Sequence, residues 1–231
     1  MKATPVMTLL IYDCDGVLVD SELLASTTLA ELMTTLGHAM TPEECVRVFG
    51  GCSLLDVLRR AEDILGRAIP QDLGEQTGRR LLARFRRELK PVAGAAQAVT
   101  CLPYRRCVAS SSAPERLMLT LELTGLAPLF GEHVYSAAQV ANGKPAPDLF
   151  LFAARAVGVD PSRALVIEDS ALGIAAARAA GMAAIGFTGG GHATDDLAAR
   201  LAAAGAERVV AAMAELPAAI EDIVAQKRAA P

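Results

Sequence analysis

Leu9-Leu10-Ile11-Tyr12-Asp13-Cys14-Asp15-Gly16-Val17-Leu18-Val19-Asp20-Ser21 is the stretch whose reading decides the fold. An apolar strand, Thr8–Tyr12, runs into two carboxylates spaced i, i+2 and then into Gly16. Residues two apart in extended chain point the same way, so Asp13 and Asp15 are expected to face one spot at the carboxyl end of a buried strand. Ligands of open α/β sheets bind in the crevice outside those strand ends. Two carboxylates there suit a hard cation such as Mg²⁺. One can attack as a nucleophile while the other handles a proton. Asp-x-Asp-Gly is also an ordinary turn sequence, so these residues alone leave both readings open.

Working outward, strands and helices alternate on the C-terminal side. Strands are expected at Arg106–Ser110, Val134–Ser136, Ala164–Ile167, Met182–Phe187 and Arg208–Val210, separated by helices. That alternation predicts an α/β fold with a doubly wound, Rossmann-like parallel sheet. Between Ser21 and Leu89 the pattern is helical throughout. Helices are expected at Glu22–Leu36, from Thr41-Pro42-Glu43-Glu44 (a capping box with Pro at the first helical position), at Ser53–Leu65 and at Gln71–Leu89. The first strand needs the sheet for partners. The division expected is therefore residues 1–19 and 92–231 as the α/β core, with 20–91 inserted as an α-helical cap hinged near Val19–Glu22 and Leu89–Val92.

Length and composition fit this picture. The chain has 231 residues, 52% of them hydrophobic, and carries a net charge of −4. It can bury a core without staples. The charge argues against a nucleic-acid partner. No apolar run reaches the ~18 residues of a membrane span. The apolar start of the chain leads into Asp13 with no small-residue cleavage site, and so reads as a strand. The arginines between Arg79 and Arg87 interleave with Leu81, Leu82 and Phe85, as on the solvated face of an amphipathic helix. The five cysteines show no Cys-x-x-Cys spacing, so reduced thiols in a cytoplasmic protein are expected. Cys14 should point into the core, opposite to its two neighbours. His38, His133 and His192 cluster with nothing in the sequence.

Three further polar spots fall at expected strand ends. Ser110-Ser111-Ser112 offers hydroxyls and amides that can grip phosphate oxygens, although Ser112 also reads as the N-cap of the Pro114 helix. Gly143-Lys144-Pro145-Ala146-Pro147-Asp148 sets one lysine in a proline-bracketed loop, where a fixed cation can neutralise a phosphoryl group. Glu168-Asp169-Ser170 adds two acids, and a hard metal needs more oxygen ligands than one Asp pair supplies. Acid pair, serine, lysine and second acid pair in order match a phosphoryl-transfer site with an aspartate nucleophile and Mg²⁺.

These segments, with Val108-Ala109-Ser110-Ser111-Ser112 and Ile167-Glu168-Asp169-Ser170-Ala171-Leu172-Gly173-Ile174, resemble the four motifs of the haloacid dehalogenase-like hydrolases. The branch they are most similar to is that of β-phosphoglucomutases and small sugar-phosphate phosphatases, including 6-phosphogluconate phosphatase-like proteins. The resemblance implies that Asp13 becomes a phospho-aspartate. It implies that Asp15 protonates the leaving oxygen, later activates water, and lends its backbone carbonyl to Mg²⁺. Asp169 would ligate the metal directly and Glu168 through a bound water, while Ser110, Ser111 and Lys144 hold the phosphoryl group. Haloacid dehalogenases need no metal and usually lack the second aspartate, so Asp15 points to phosphate chemistry. Where β-phosphoglucomutases carry a histidine after the first motif, this chain has Ala25, and Ser53 stands about where their cap arginine would be. Both departures favour a phosphatase over the alternative, a phosphomutase. Glu22 and Ser53, with Gly50, Gly51 and Cys52, are expected to line the cap side of the pocket. The expected partner is a small-molecule phosphate ester, with no nucleic acid and no membrane, and the expected state is a monomer or weak dimer.

Overall fold

The computed structural model describes residues 7–50, 52 and 54–229. β1, Leu9–Tyr12, is buried along its whole length and lies inside a six-stranded sheet. The other strands are β2 (Arg105–Ser110), β3 (Val134–Ser136), β4 (Ala164–Glu168), β5 (Ala183–Phe187) and β6 (Arg208–Val210). Their order is β3-β2-β1-β4-β5-β6, and every neighbouring pair is parallel. The chain builds outward from β1 to β3, then crosses to the other side of β1 to lay down β4. The order reverses at β1 and β4, and the crevice for a ligand opens at such a point.

Both faces of the sheet are covered, which is why its strands are apolar on successive residues. Leu10, Tyr12, Val108, Leu165 and Ile167 face one side. They pack there with residues of α5 (Ala95–Thr100), α6 (Pro114–Leu123) and α10 (Leu216–Ala229). Leu9, Ile11, Cys107, Ala109 and Val166 face the other. Their partners come from α7 (Asp148–Val157), α8 (Ala171–Ala179) and α9 (Leu197–Ala203).

Five helices lie between β1 and β2 in the chain; the four ahead of α5 are α1 (Glu22–Thr35), α2 (Pro42–Phe49), α3 (Leu54–Leu65) and α4 (Leu73–Glu88). The capping box of α2 forms as expected: Thr41 Oγ1 accepts from the Glu44 amide, and the Glu44 carboxylate accepts from the Thr41 amide. Ala30, Met33, Cys45, Phe49, Val57 and Ala61 form an apolar cluster separate from the two beside the sheet. Arg79, Arg80, Arg86 and Arg87 are exposed as expected. Arg84 instead ties α4 to α1 through Thr28 Oγ1 and Glu31. The segments entering and leaving this block pair with each other. Val19 bridges Pro91, the Asp20 amide donates to the Lys90 carbonyl, and the Val92 amide donates to the Leu18 carbonyl. The main differences from the sequence expectation are at element ends. β1 begins at Leu9 and not Thr8, and α10 runs to Ala229 and not only to about Gln226. Among the described residues no helix is long and apolar enough to cross a membrane.

Candidate active site

Asp13 follows the last residue of β1, and its amide donates to the Ile167 carbonyl of the adjacent β4. Its carboxylate therefore emerges beside the end of that strand, where Glu168 and Asp169 stand. Lys144 joins them. Its ammonium donates to Asp13 Oδ1 at 2.6 Å and to Glu168 Oε1 at 2.5 Å. The lysine side chain is only 4% exposed, so it is a buried cation and not a solvated surface group. Burial would lower its pKa, but the two carboxylates outweigh that and raise it. The other oxygen of Glu168 accepts from the Ser170 amide and hydroxyl, and Ser170 Oγ in turn accepts from the Gly173 amide as the N-cap of α8. Gly173 leaves room for this carboxylate: a Cβ there would stand 1.9 Å from Glu168 Oε1.

Asp15 takes different partners. Both acids lie in one crevice, but the strand has already ended at Tyr12, so the chain turns and strand alternation no longer sets their direction. Asp15 Oδ1 accepts from Ser21 Oγ at 2.5 Å and from an Arg116 terminal nitrogen at 2.8 Å, and Oδ2 accepts from Ser112 Oγ at 2.6 Å. Burial raises this carboxyl, but Arg116 and the two hydroxyls outweigh it and leave the pKa lowered. Cys14 between them is fully buried, its Sγ 3.7 Å from Thr120 Oγ1, as expected of a core thiol. Gly16 carries a φ of +78°, and a Cβ there would meet Asp169 Oδ2 at 1.8 Å. The glycine of the Asp-x-Asp-Gly run thus lets β1 and β4 bring their acids together.

Ser110 is buried, and its hydroxyl accepts from the Ser112 amide; Ser111 is half-buried. Ser112 does not cap α6. Ala113 is the N-cap, with no side-chain bond, and the Ser112 hydroxyl is spent on Asp15. Glu22, the first residue of α1, is half-buried. Its pKa is pushed up to about 7 by burial and then by the charges of Asp15 and Asp169, which places it near both. Gly51 and Ser53 lie outside the described residues.

Sequence reasoning missed two residues. Arg116 reaches Asp15 from the first turn of α6, while its side chain lies over the Phe85 ring of α4, 5.3 Å from the centroid. His192 stands 3.0 Å from Asp169 Oδ2 through Nε2. Burial lowers the His192 pKa, but the Asp169 carboxylate outweighs it and raises it. Its signal was Gly189-Gly190-Gly191-His192, a polar residue in a glycine-rich loop after another buried strand.

Asp13, Glu168 and Asp169 each offer a carboxylate oxygen, and these atoms lie within 4.8 Å of one another. Burial raises Asp13. Lys144 opposes it, and the neighbouring Glu168 and Asp169 carboxylates push it up further, leaving the group well above the usual range. A buried oxygen-only donor set with more carboxylates than cations fits a hard divalent ion such as Mg²⁺.

A family model described as haloacid dehalogenase-like hydrolase matches residues 7–181. The chain belongs to the haloacid dehalogenase-like hydrolases. It is 26% identical over 182 residues to the 6-phosphogluconate phosphatase of Escherichia coli (strain K12), covering 78% of this chain and 82% of that protein. The crystal structure of a haloacid dehalogenase-like protein of unknown function from Agrobacterium tumefaciens str. C58 superposes with a TM-score of 0.85. It is 40% identical, with 94% of this chain and 99% of the other covered. A haloacid dehalogenase family hydrolase from Deinococcus radiodurans R1, with bound phosphate and sodium, superposes with a TM-score of 0.78. It is 33% identical, with 96% and 97% covered. The six-stranded parallel sheet with its flanking helices is thus the fold of a haloacid dehalogenase-like hydrolase.

Proposed function

We propose that this protein is a Mg²⁺-dependent phosphatase of small phosphorylated metabolites, of the sugar-phosphate class, working through a phospho-aspartate at Asp13. The observation that carries the reading is the buried Asp13 carboxylate fixed by Lys144 among Glu168 and Asp169. Phosphoryl transfer needs positioning and charge neutralisation more than covalent effort. Asp13, Asp169, the Asp15 carbonyl and, through water, Glu168 would hold Mg²⁺, which supplies neutralisation of the phosphoryl charge. Lys144, Ser110 and Ser111 would hold the remaining phosphoryl oxygens.

One Asp13 oxygen attacks phosphorus as the bond to the leaving alcohol breaks. Asp15 gives that alcohol oxygen its proton. Asp15 then takes a proton from water, whose oxygen attacks the phospho-aspartate and releases inorganic phosphate, restoring Asp13. Residues 20–91 act as a cap that opens to admit substrate and closes to control water. The paired segments at Val19 and Pro91 are its hinge. Glu22 faces the substrate from the cap. The absence of the mutase histidine, with Ala25 in its place, supports hydrolysis over isomerisation. The protein works on a soluble ester in the cytoplasm, as a monomer or weak dimer, in keeping with its five free thiols.

The test is a panel of sugar phosphates with Mg²⁺, read as released phosphate, with β-glucose 1-phosphate plus a bisphosphate primer among the assays. Phosphate release that EDTA abolishes and Mg²⁺ restores is expected. Full turnover after metal stripping, or isomerisation faster than phosphate release, overturns the reading.

A further inference from the structure

Arg116 is a basic residue of the site that the proposed chemistry leaves without a task of its own. We infer that Arg116 recognises a second anionic group on the substrate, a carboxylate or a second phosphate, and frees Asp15 by doing so. The inference rests on the phosphatase reading and names its substrate class.

Three observations carry it. First, the Arg116 guanidinium is incompletely used. One terminal nitrogen donates to Asp15, while Nε is buried with no hydrogen-bond partner among the described residues. A guanidinium has five donors in a planar fork that matches carboxylate and phosphate, and an unmet buried donor favours whatever acceptor can reach it. The side chain is 27% exposed although Nε itself is buried, so an acceptor can approach the guanidinium from its exposed part.

Second, its place on the fold is unfavourable without an anion. Arg116 sits two residues after Pro114, in the first turn of α6, where the helix dipole disfavours a cation. The face of Phe85, 5.3 Å away on α4, lies under the guanidinium and keeps it in the crevice. An anion held there would touch residues on both sides of the α4–α6 contact.

Third, Asp15 is fully engaged: Ser21 and Arg116 take one carboxylate oxygen and Ser112 the other. A group that must hand a proton to the leaving oxygen cannot do so from this arrangement. Withdrawing Asp15 alone would leave a partly buried cation uncompensated. A substrate that carries its own anion to Arg116 replaces Asp15 there, so recognition and the release of the acid become one event.

The experiment compares three esters of similar length: a phosphorylated sugar acid, a sugar bisphosphate and a sugar monophosphate with a neutral far end. Binding is measured by calorimetry with Mg²⁺ on Asp13→Asn protein, which cannot turn over, with Arg116 intact or changed to Ala or Lys. kcat/KM is measured on the same Arg116 series with Asp13 present. Thermal melts confirm that each variant is folded. With Arg116 intact, one or both anionic-ended esters should bind about 10- to 100-fold tighter than the neutral-ended one, the range expected of a charge-assisted fork. The carboxylate and bisphosphate arms tell which anion is read. In Arg116→Ala the ratio should fall toward one, and Arg116→Lys should restore it in part. Equal binding of all three esters to the protein with Arg116 intact overturns the inference. So does an Arg116→Ala variant that loses the same factor on each ester, because Arg116 would then only position Asp15. Discriminating binding without phosphate release by the wild type overturns the phosphatase reading while leaving the anion site standing.

Discussion

Replacing Gly173 by alanine should destabilise the protein although the residue lies inside a helix, where alanine is normally the better choice. The reason is the carboxylate beside it. The new methyl would stand 1.9 Å from Glu168 Oε1 and 2.0 Å from Cδ, where carbon contacts settle near about 3.5 Å. The end of a glutamate is usually free to swing aside. This one is 1% exposed and pinned by Lys144 on one oxygen and by the Ser170 amide and hydroxyl on the other. Moving it breaks a buried ion pair, which costs about 3–5 kcal/mol, against a helix gain of about 1 kcal/mol, so a net loss of about 2–4 kcal/mol is expected. Gly78 is the control. It lies within α4, where a Cβ would meet nothing within 4 Å, so Gly78→Ala should stabilise by about 0.5–1 kcal/mol. Urea unfolding of both variants, followed by circular dichroism, gives the two midpoints. If Gly173→Ala unfolds at or above the wild-type midpoint, Glu168 is not held as described and the reasoning fails.

Lys144→Ala should lower kcat/KM by at least about 100-fold and Lys144→Arg should not restore it, because a planar guanidinium cannot serve both Asp13 and Glu168 from the space of an ammonium. Near-normal steady-state kinetics in either variant would refute this. For Glu22, the folded pKa of about 7 lies above the ordinary 4.5, so the folded state keeps a proton that the unfolded chain has lost. Its contribution should therefore make the metal-free protein less stable as pH rises from about 4.5 to about 7, with no further change above. Glu22→Gln should remove that fall and gain about 3 kcal/mol at pH 8 over its effect at pH 4.5. Urea midpoints that differ from wild type equally at both pH values would disprove it.

What the sequence showed depended on how locally each feature is encoded. β3 and β6 were readable to the residue, and α2 was readable from its capping box, because turn and cap chemistry lie within a few positions of the element. The approach of Asp13, Lys144, Glu168 and Asp169 was readable because each follows or precedes an apolar strand in a parallel sheet, and such strands share a carboxyl edge. Arg116 was not, since its meeting with Asp15 depends on the rotational phase of α6 over the end of β2. His192 is isolated in the sequence and reaches Asp169 only because Gly16 and Gly190 let three loops close together. Ser112 was read as a cap because its neighbour is a proline-led helix, but the stronger acceptor, Asp15, took its hydroxyl.

The spacing of the site along the chain has a consequence for the protein's life in solution. Asp13 and Lys144 touch across 131 residues, and Asp15 and Ser112 across 97. No stretch short enough to fold early contains both halves of either pair. Nascent chains that have not reached Lys144, and fragments that lack either half, therefore carry no complete site and are expected to be chemically silent. Turnover per mole of protein then counts fully assembled molecules. It is a direct gauge of foldedness against which any variant's apparent loss of activity can be calibrated.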